Sequence, residues 1–264
     1  MRNVQLAVLV LALMAARVVS AHDTWLLARP ALPDNPGAAV VDLTSGMAFP
    51  DLDHAITPDR VGRARIRVRG RSTDIRDMSG EAHSLVFRTP GNGSLLATIW
   101  VELKPKSIDL TPSQVAVYLD EIDAPSTVRK AWADRKPGTR WREVYVKHAK
   151  TFVGTAEADD RSFALAAGMS FEIIPELDPT RLRAGDEISV RVLKNGAPIS
   201  GLAIGAVREG DAHGTSLKTD AEGRVRIRLE HAGRWMLRAT VLRVSGRRDK
   251  AWRSDFTTLT LEVR

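Results

Sequence analysis

The chain of 264 residues contains no cysteine. Disulfide staples are therefore excluded, and any metal site must be built from nitrogen, oxygen or thioether ligands, never thiolate. Aromatic residues make up 5% of the sequence, with two tyrosines. A nucleic-acid binder is expected to cluster base-stacking aromatics among basic residues, and here Lys/Arg and Asp/Glu are interspersed. Only RARIRVRGR reads as a basic stripe. There Ile66 and Val68 alternate with Arg65, Arg67 and Arg69, the pattern of a half-buried strand with a solvated face. No nucleic-acid partner is expected. Beyond residue 21 no apolar run approaches the roughly 18 to 20 residues that span a bilayer. Recognisable catalytic motifs are missing too: there is no G-x-S-x-G, H-E-x-x-H, P-loop or G-x-G-x-x-G. Carboxylate pairs such as Glu102 with Asp109, or Asp120 with Glu121, read as charged surface. Asp159-Asp160 and Asp51/Asp53 lack the regular ligand spacing of a calcium loop. The chain reads as a non-enzyme.

What is present begins with a leader. Arg2 precedes the apolar run VQLAVLVLALMAA, and Val19-Ser20-Ala21 offers small residues of the kind a signal peptidase reads. Residues 1–21 are predicted to be a cleaved secretory signal, so that the mature chain is soluble, periplasmic and begins at His22. Loss of Arg2 and Arg17 lowers the formal charge from +7 to about +5. About 243 residues remain, enough to bury a core without disulfides.

The mature chain reads mostly as strands, an all-β fold with one helical excursion over about 111–135. In TPSQVAVYLDEI, Thr111 caps, Pro112 suits the first helical position and Gln114 completes a capping box. Val115, Leu119 and Ile122 share one face. STVRKAWADR reads as a second short helix, ended by Pro137 and Gly138. Further on, EISVRVL points Ile188, Val190 and Leu193 inward less regularly, and Asn195-Gly196 follows as a turn. RVRIRLE alternates strictly, with Val225, Ile227 and Leu229 inward. Trp235, Leu237, Ala239 and Val241 repeat the pattern, as do Leu259, Leu261 and Val263. These strands predict an antiparallel sandwich over 173–264, following an N-terminal β domain over 22–172.

The order and spacing of several segments carry a resemblance that spans nearly the whole mature chain. They are AHDTWLL, SGMAFP, DHAI, PDRV, REVYVKHAKTFV, FEIIPELDPTRLRAGDEISVRVLKNGAPISGLAIGA, TDAEGRVRIRLEHAGRWMLRA and DFTTLTLEV. The sequence resembles the exported bacterial family known as domain of unknown function 4198. Some members of that family are labelled periplasmic components of nickel or cobalt uptake systems. The resemblance implies a C-terminal module like the immunoglobulin or transthyretin sandwiches, and a membrane metal transporter as partner.

Taken with the leader, it also points to a metal. A mature N-terminal His22 would offer its α-amine and its imidazole as one chelate, and a second histidine would complete a T-shaped nitrogen set. Such a set suits Cu(II) or Ni(II), so the cofactor expected is a divalent nickel, cobalt or copper ion. The second ligand must be His54, His83, His148, His213 or His231. His54 and His148 lie in segments that match the family and are favoured, with Met47 as a soft axial ligand. His148 shares a strand face with Val144 and Val146, and such a residue is either a satisfied core histidine or a ligand. Asp23 points elsewhere if its segment is extended. The competing reading is a structural or interaction module of the cell envelope, in which His22 merely marks where the leader ended.

Overall fold

A computed structural model describes residues 22–30, 38–89, 95–211, 214–244 and 251–264. The expected leader, 1–21, and His213 lie outside the described residues. The chain opens with β1 (Asp23–Ala28), β2 (Val40–Gly46) and β3 (His54–Ala55). Six strands follow: β4 (Val61–Val68), β5 (Arg71–Asp74), β6 (Met78–Gly80), β7 (Leu85–Arg88), β8 (Ala97–Leu103) and β9 (Lys106–Leu110). Helices α1 (Pro112–Glu121) and α2 (Ser126–Ala133) then precede the long β10 (Trp141–Val153). The second half holds β11 (Phe171–Pro175), β12 (Asp186–Lys194), β13 (Ala197–Pro198), β14 (Ala203–Arg208) and β15 (Thr215–Lys218). It ends with β16 (Arg224–Leu229), β17 (Gly233–Val244) and β18 (Trp252–Val263). The fold is all-β with the helical pair as its excursion.

These strands form three sheets. One runs β1-β2-β7-β6 with β3 on β2, a second β15-β14-β17-β18-β10-β8-β4-β5 with β9 on β10, and a third β11-β12-β13 with β16 on β12. The C-terminal core closes between the third sheet and β14, β17 and β18. Ile188, Val190, Val192, Ile227, Leu237 and Leu259 are all buried in it. The N-terminal core lies between the first sheet and β4, β8 and β10, with Leu26, Leu43, Phe87, Ile99 and Ala149 inside. Both sandwiches thus share the second sheet. The pairing of β10 with β18 makes the join, and it is parallel, from Glu143 opposite Trp252 to Thr151 opposite Thr260. The C-terminal strands pair antiparallel with one another, as expected, and β18 in addition joins β10. One sheet runs through both halves of the chain.

Strands β10 and β18 are therefore covered on both faces. Leu259 and Leu261 face the C-terminal core, whereas the intervening Thr258 and Thr260 bond to β1. On β10, Ala149 faces the N-terminal core while Lys150 on the opposite face reaches Glu172. Two local expectations also change. The inward set on β12 is Ile188, Val190 and Val192, in strict alternation, and Leu193 is buried outside that core. Arg67 does not face solvent: it is 6% exposed and donates to the carbonyls of Leu165 (2.9 Å) and Ala166 (2.6 Å). The segment around the short 3-10 turn Ser162–Ala164 covers what the alternation alone presented as a solvated face.

The helical excursion forms as its capping signals require. Gln114 N–H donates to the Thr111 hydroxyl and Thr111 N–H donates to the Gln114 side chain. Val115, Tyr118 and Leu119 of α1 pack with Val128 of α2 against Trp141, Trp252 and Phe256. The rings of Trp141 and Trp252 stack at 4.1 Å. Offset aromatic pairs of this kind contribute about 0.5–1.5 kcal/mol beyond the area they bury. This cluster covers the end of the β10–β18 pair next to the start of β1.

Candidate metal centre

Strand β2 organises the site. Its end pairs with β1 on one edge, Asp23 opposite Gly46, and with β3 on the other, Ser45 opposite His54. Residues 22 and 54, far apart in sequence, are thereby delivered to the two sides of one strand end. Their imidazole rings meet edge to face with centroids 5.2 Å apart. His22, Asp53 and His54 each offer a ligand atom, and the three atoms lie within 4.8 Å of one another. His22 is partly buried, and Asp53 and His54 are exposed, so the group opens to solvent.

The surroundings hold these three groups in place. The Asp53 carboxylate lies 3.0 Å from His54 Nδ1, which leaves Nε2 of that ring as its donor toward a metal. A carboxylate in this position fixes the tautomer and the orientation of the ring. Asp53 N–H donates to the Thr44 hydroxyl at 3.1 Å, and its carbonyl accepts from Nδ1–H of His83, also at 3.1 Å. Because a carbonyl only accepts, the proton of His83 sits on Nδ1. Gly46 supplies room. A Cβ there would lie 3.0 Å from both Asp53 Cβ and Trp25 Cη2, so any larger residue would crowd the side chain that holds His54. Lys147, from β10, donates to the His22 carbonyl (2.5 Å) and contacts the Ser45 hydroxyl (3.1 Å). Burial pulls its ammonium down to about 8, against the favourable field of Asp23.

His22 and His54, expected from the sequence, come together. His148 does not join them. It is 1% exposed, its Nδ1–H donates to the Phe256 carbonyl (2.8 Å) and its Nε2 accepts from the Ser170 hydroxyl (2.9 Å). Both ring nitrogens are thus occupied, and burial lowers its pKa. It is a satisfied core histidine, and its candidacy as a ligand is corrected accordingly. Met47 follows Gly46 in the turn at the site, with 57% of its surface exposed. His231 lies in the β16–β17 turn, where its carbonyl accepts from Trp235. Asp23 points away from the pair, bonded to Arg238 at 2.5 Å. Asp53 was set aside in the sequence for lack of calcium-loop spacing, and Lys147 was not singled out. Adjacency of Asp53 to His54 in DLDH was a usable signal, whereas nothing in VKHAK singles out Lys147.

Two imidazoles, one of them held by the Asp53 carboxylate at its Nδ1, form a donor set that fits a divalent late transition metal. No curated protein matches the chain. Among solved structures, a fragment of native alpha-2-macroglobulin from Escherichia coli spanning domains MG0-NIE-MG1 aligns over 90% of this chain and 95% of that one. It does so at 12% identity and a TM-score of 0.22. The profile of the domain of unknown function DUF4198 matches residues 19–243. With most of its length so matched, the chain belongs to the DUF4198 family.

Proposed function

We propose that this protein is an exported, non-enzymatic metal-binding protein that handles or delivers nickel, cobalt or copper for uptake in the periplasm. The observation that carries the reading is the convergence of the His22 and His54 rings across the end of β2, with Asp53 on the His54 ring. With the leader removed before His22, the amine and imidazole of that residue form one chelate and His54 Nε2 adds a third nitrogen. Nitrogen-rich sets of this kind bind Cu(II) most tightly among divalent first-row ions, with Ni(II) next. Partial exposure suits a site that must also release its ion. A membrane metal transporter is the proposed partner, and the C-terminal sandwich is the proposed scaffold or docking module.

The test is direct because the chelate depends on one bond. Protein beginning at His22 and protein with one alanine before it are titrated with Cu(II) and Ni(II) against a competing chelator. The added residue turns the amine into an amide, which should weaken binding about 100-fold or more, roughly 3 kcal/mol. His54→Ala should weaken it as well. Equal affinity with and without the alanine would remove the chelate, and no binding by either form would favour the envelope-interaction role.

A further inference from the structure

We infer that Lys147 is a positioning residue for this metal centre, holding the His22–Asp23 peptide so that both nitrogens of residue 22 hang from a fixed point. The inference rests on the metal-binding reading above. Chain starts ordinarily fray, but here the first strand is held from three sides. Lys147 of β10 donates to the His22 carbonyl at 2.5 Å. Ser45 of β2, which Lys147 also touches at 3.1 Å, donates to the Asp23 carbonyl at 2.8 Å. Arg238 of β17 takes the Asp23 carboxylate. The ammonium therefore fixes the plane of the peptide that follows His22, and with it the Cα from which amine and imidazole both extend. A chelate ring closed by amine and imidazole then sets the torsions within residue 22.

The choice of side chain supports a role beyond packing. A partly buried cation costs solvation that a neutral donor would not, and this one lies 5.6 Å from the centroid of the Tyr145 ring and 5.9 Å from that of Phe256. Those faces recover part of that cost through the ring quadrupole. The same strand carries another lysine, Lys150, which is buried on the opposite face against Glu172 at 3.5 Å. Lys150 has no part in the metal centre and serves as an internal control.

The experiment compares the protein beginning at His22 with Lys147→Met, Lys147→Arg and Lys150→Met, measuring Cu(II) affinity by chelator competition and the Cu(II) EPR spectrum. Loss of residues that orient metal ligands typically weakens affinity 10- to 100-fold. That loss is expected for Lys147→Met, with an altered EPR spectrum and unchanged far-UV circular dichroism. Lys147→Arg, which keeps a donor in reach, should recover most of the affinity, and Lys150→Met should bind with the original affinity and spectrum. If Lys147→Met does not fold, Lys147→Gln, too short to reach the carbonyl, is read in the same way. Original affinity and spectrum in Lys147→Met or Lys147→Gln would overturn the positioning role and leave the metal-binding reading standing. An original protein that binds no Cu(II) would remove both.

Discussion

His148 shows how one side chain can look like a ligand in sequence and prove to be core. Its strand face was legible, but the Phe256 carbonyl and the Ser170 hydroxyl that occupy its nitrogens come from distant segments. Burial is the main cause that lowers its pKa, opposed by the bond to Phe256 and by the field of Glu102. The sign follows from proton uptake. An unfolded chain protonates this ring near pH 6.5, and the folded chain resists until a lower pH. Its contribution to stability is therefore present above about pH 6.5 and lost as pH falls through the folded value. Urea midpoints of the wild type and His148→Gln should converge as pH is lowered from 7 to 5. A gap that stays constant over that range would show that the ring does not titrate as its burial requires. Arg67 teaches the same lesson about charge: alternation placed it outward, and the segment at 162–166 covered it.

At the scale of elements, β1 is the informative case. Among the described residues it pairs with β2 only, so its second edge would be open to another strand. Arg29 N–H donates to the Val40 carbonyl just beyond β1, and alternation from that pair turns the carbonyls of Thr24 and Leu26 away from β2. Thr258 and Thr260 of β18 donate to those two carbonyls, each at 2.6 Å. The TTLT stretch of β18 thus seals an edge with hydroxyls while Leu259 and Leu261 fill the other sandwich. Thr258→Val and Thr260→Val should each cost about 1–3 kcal/mol, the penalty of leaving a buried acceptor without a partner, as measured by urea denaturation. Losses below half a kcal/mol would mean that water replaces the hydroxyls without cost. The capping box of α1 stands at the opposite extreme. Thr111, Pro112 and Gln114 are sequence neighbours, so their signal was local and fully readable.

For the whole molecule, the shared sheet decides how stability is distributed. Because β10 and β18 bond in parallel, each sandwich uses the other as the cover of its central strand. Separating them would expose the β10–β18 edge and break up a surface packed on two faces. Calorimetry should therefore show a single unfolding transition, with matching calorimetric and van't Hoff enthalpies. Two resolved transitions would overturn this and show that the two halves unfold independently.

The sequence by itself determined what depends on near neighbours or on period. That covers the all-β class, the strand faces of Val225, Ile227 and Leu229, the Asn195-Gly196 turn, the helix cap, and a donor chemistry restricted to nitrogen, oxygen and thioether by the absence of cysteine. His22 and His54 were also candidates on the sequence. Tertiary structure alone decided that their rings meet, that Asp53 rather than His148 completes the cluster, and that Lys147 reaches residue 22. The first two rest on the pairing of β2 with β1 and with β3, and the third on a side-chain contact between residues 125 apart, from Lys147 to His22. Periodicity tells which face a residue takes and leaves open which strand lies opposite. Register across β1, β2 and β3, set by the packing of the whole sheet, supplies that answer.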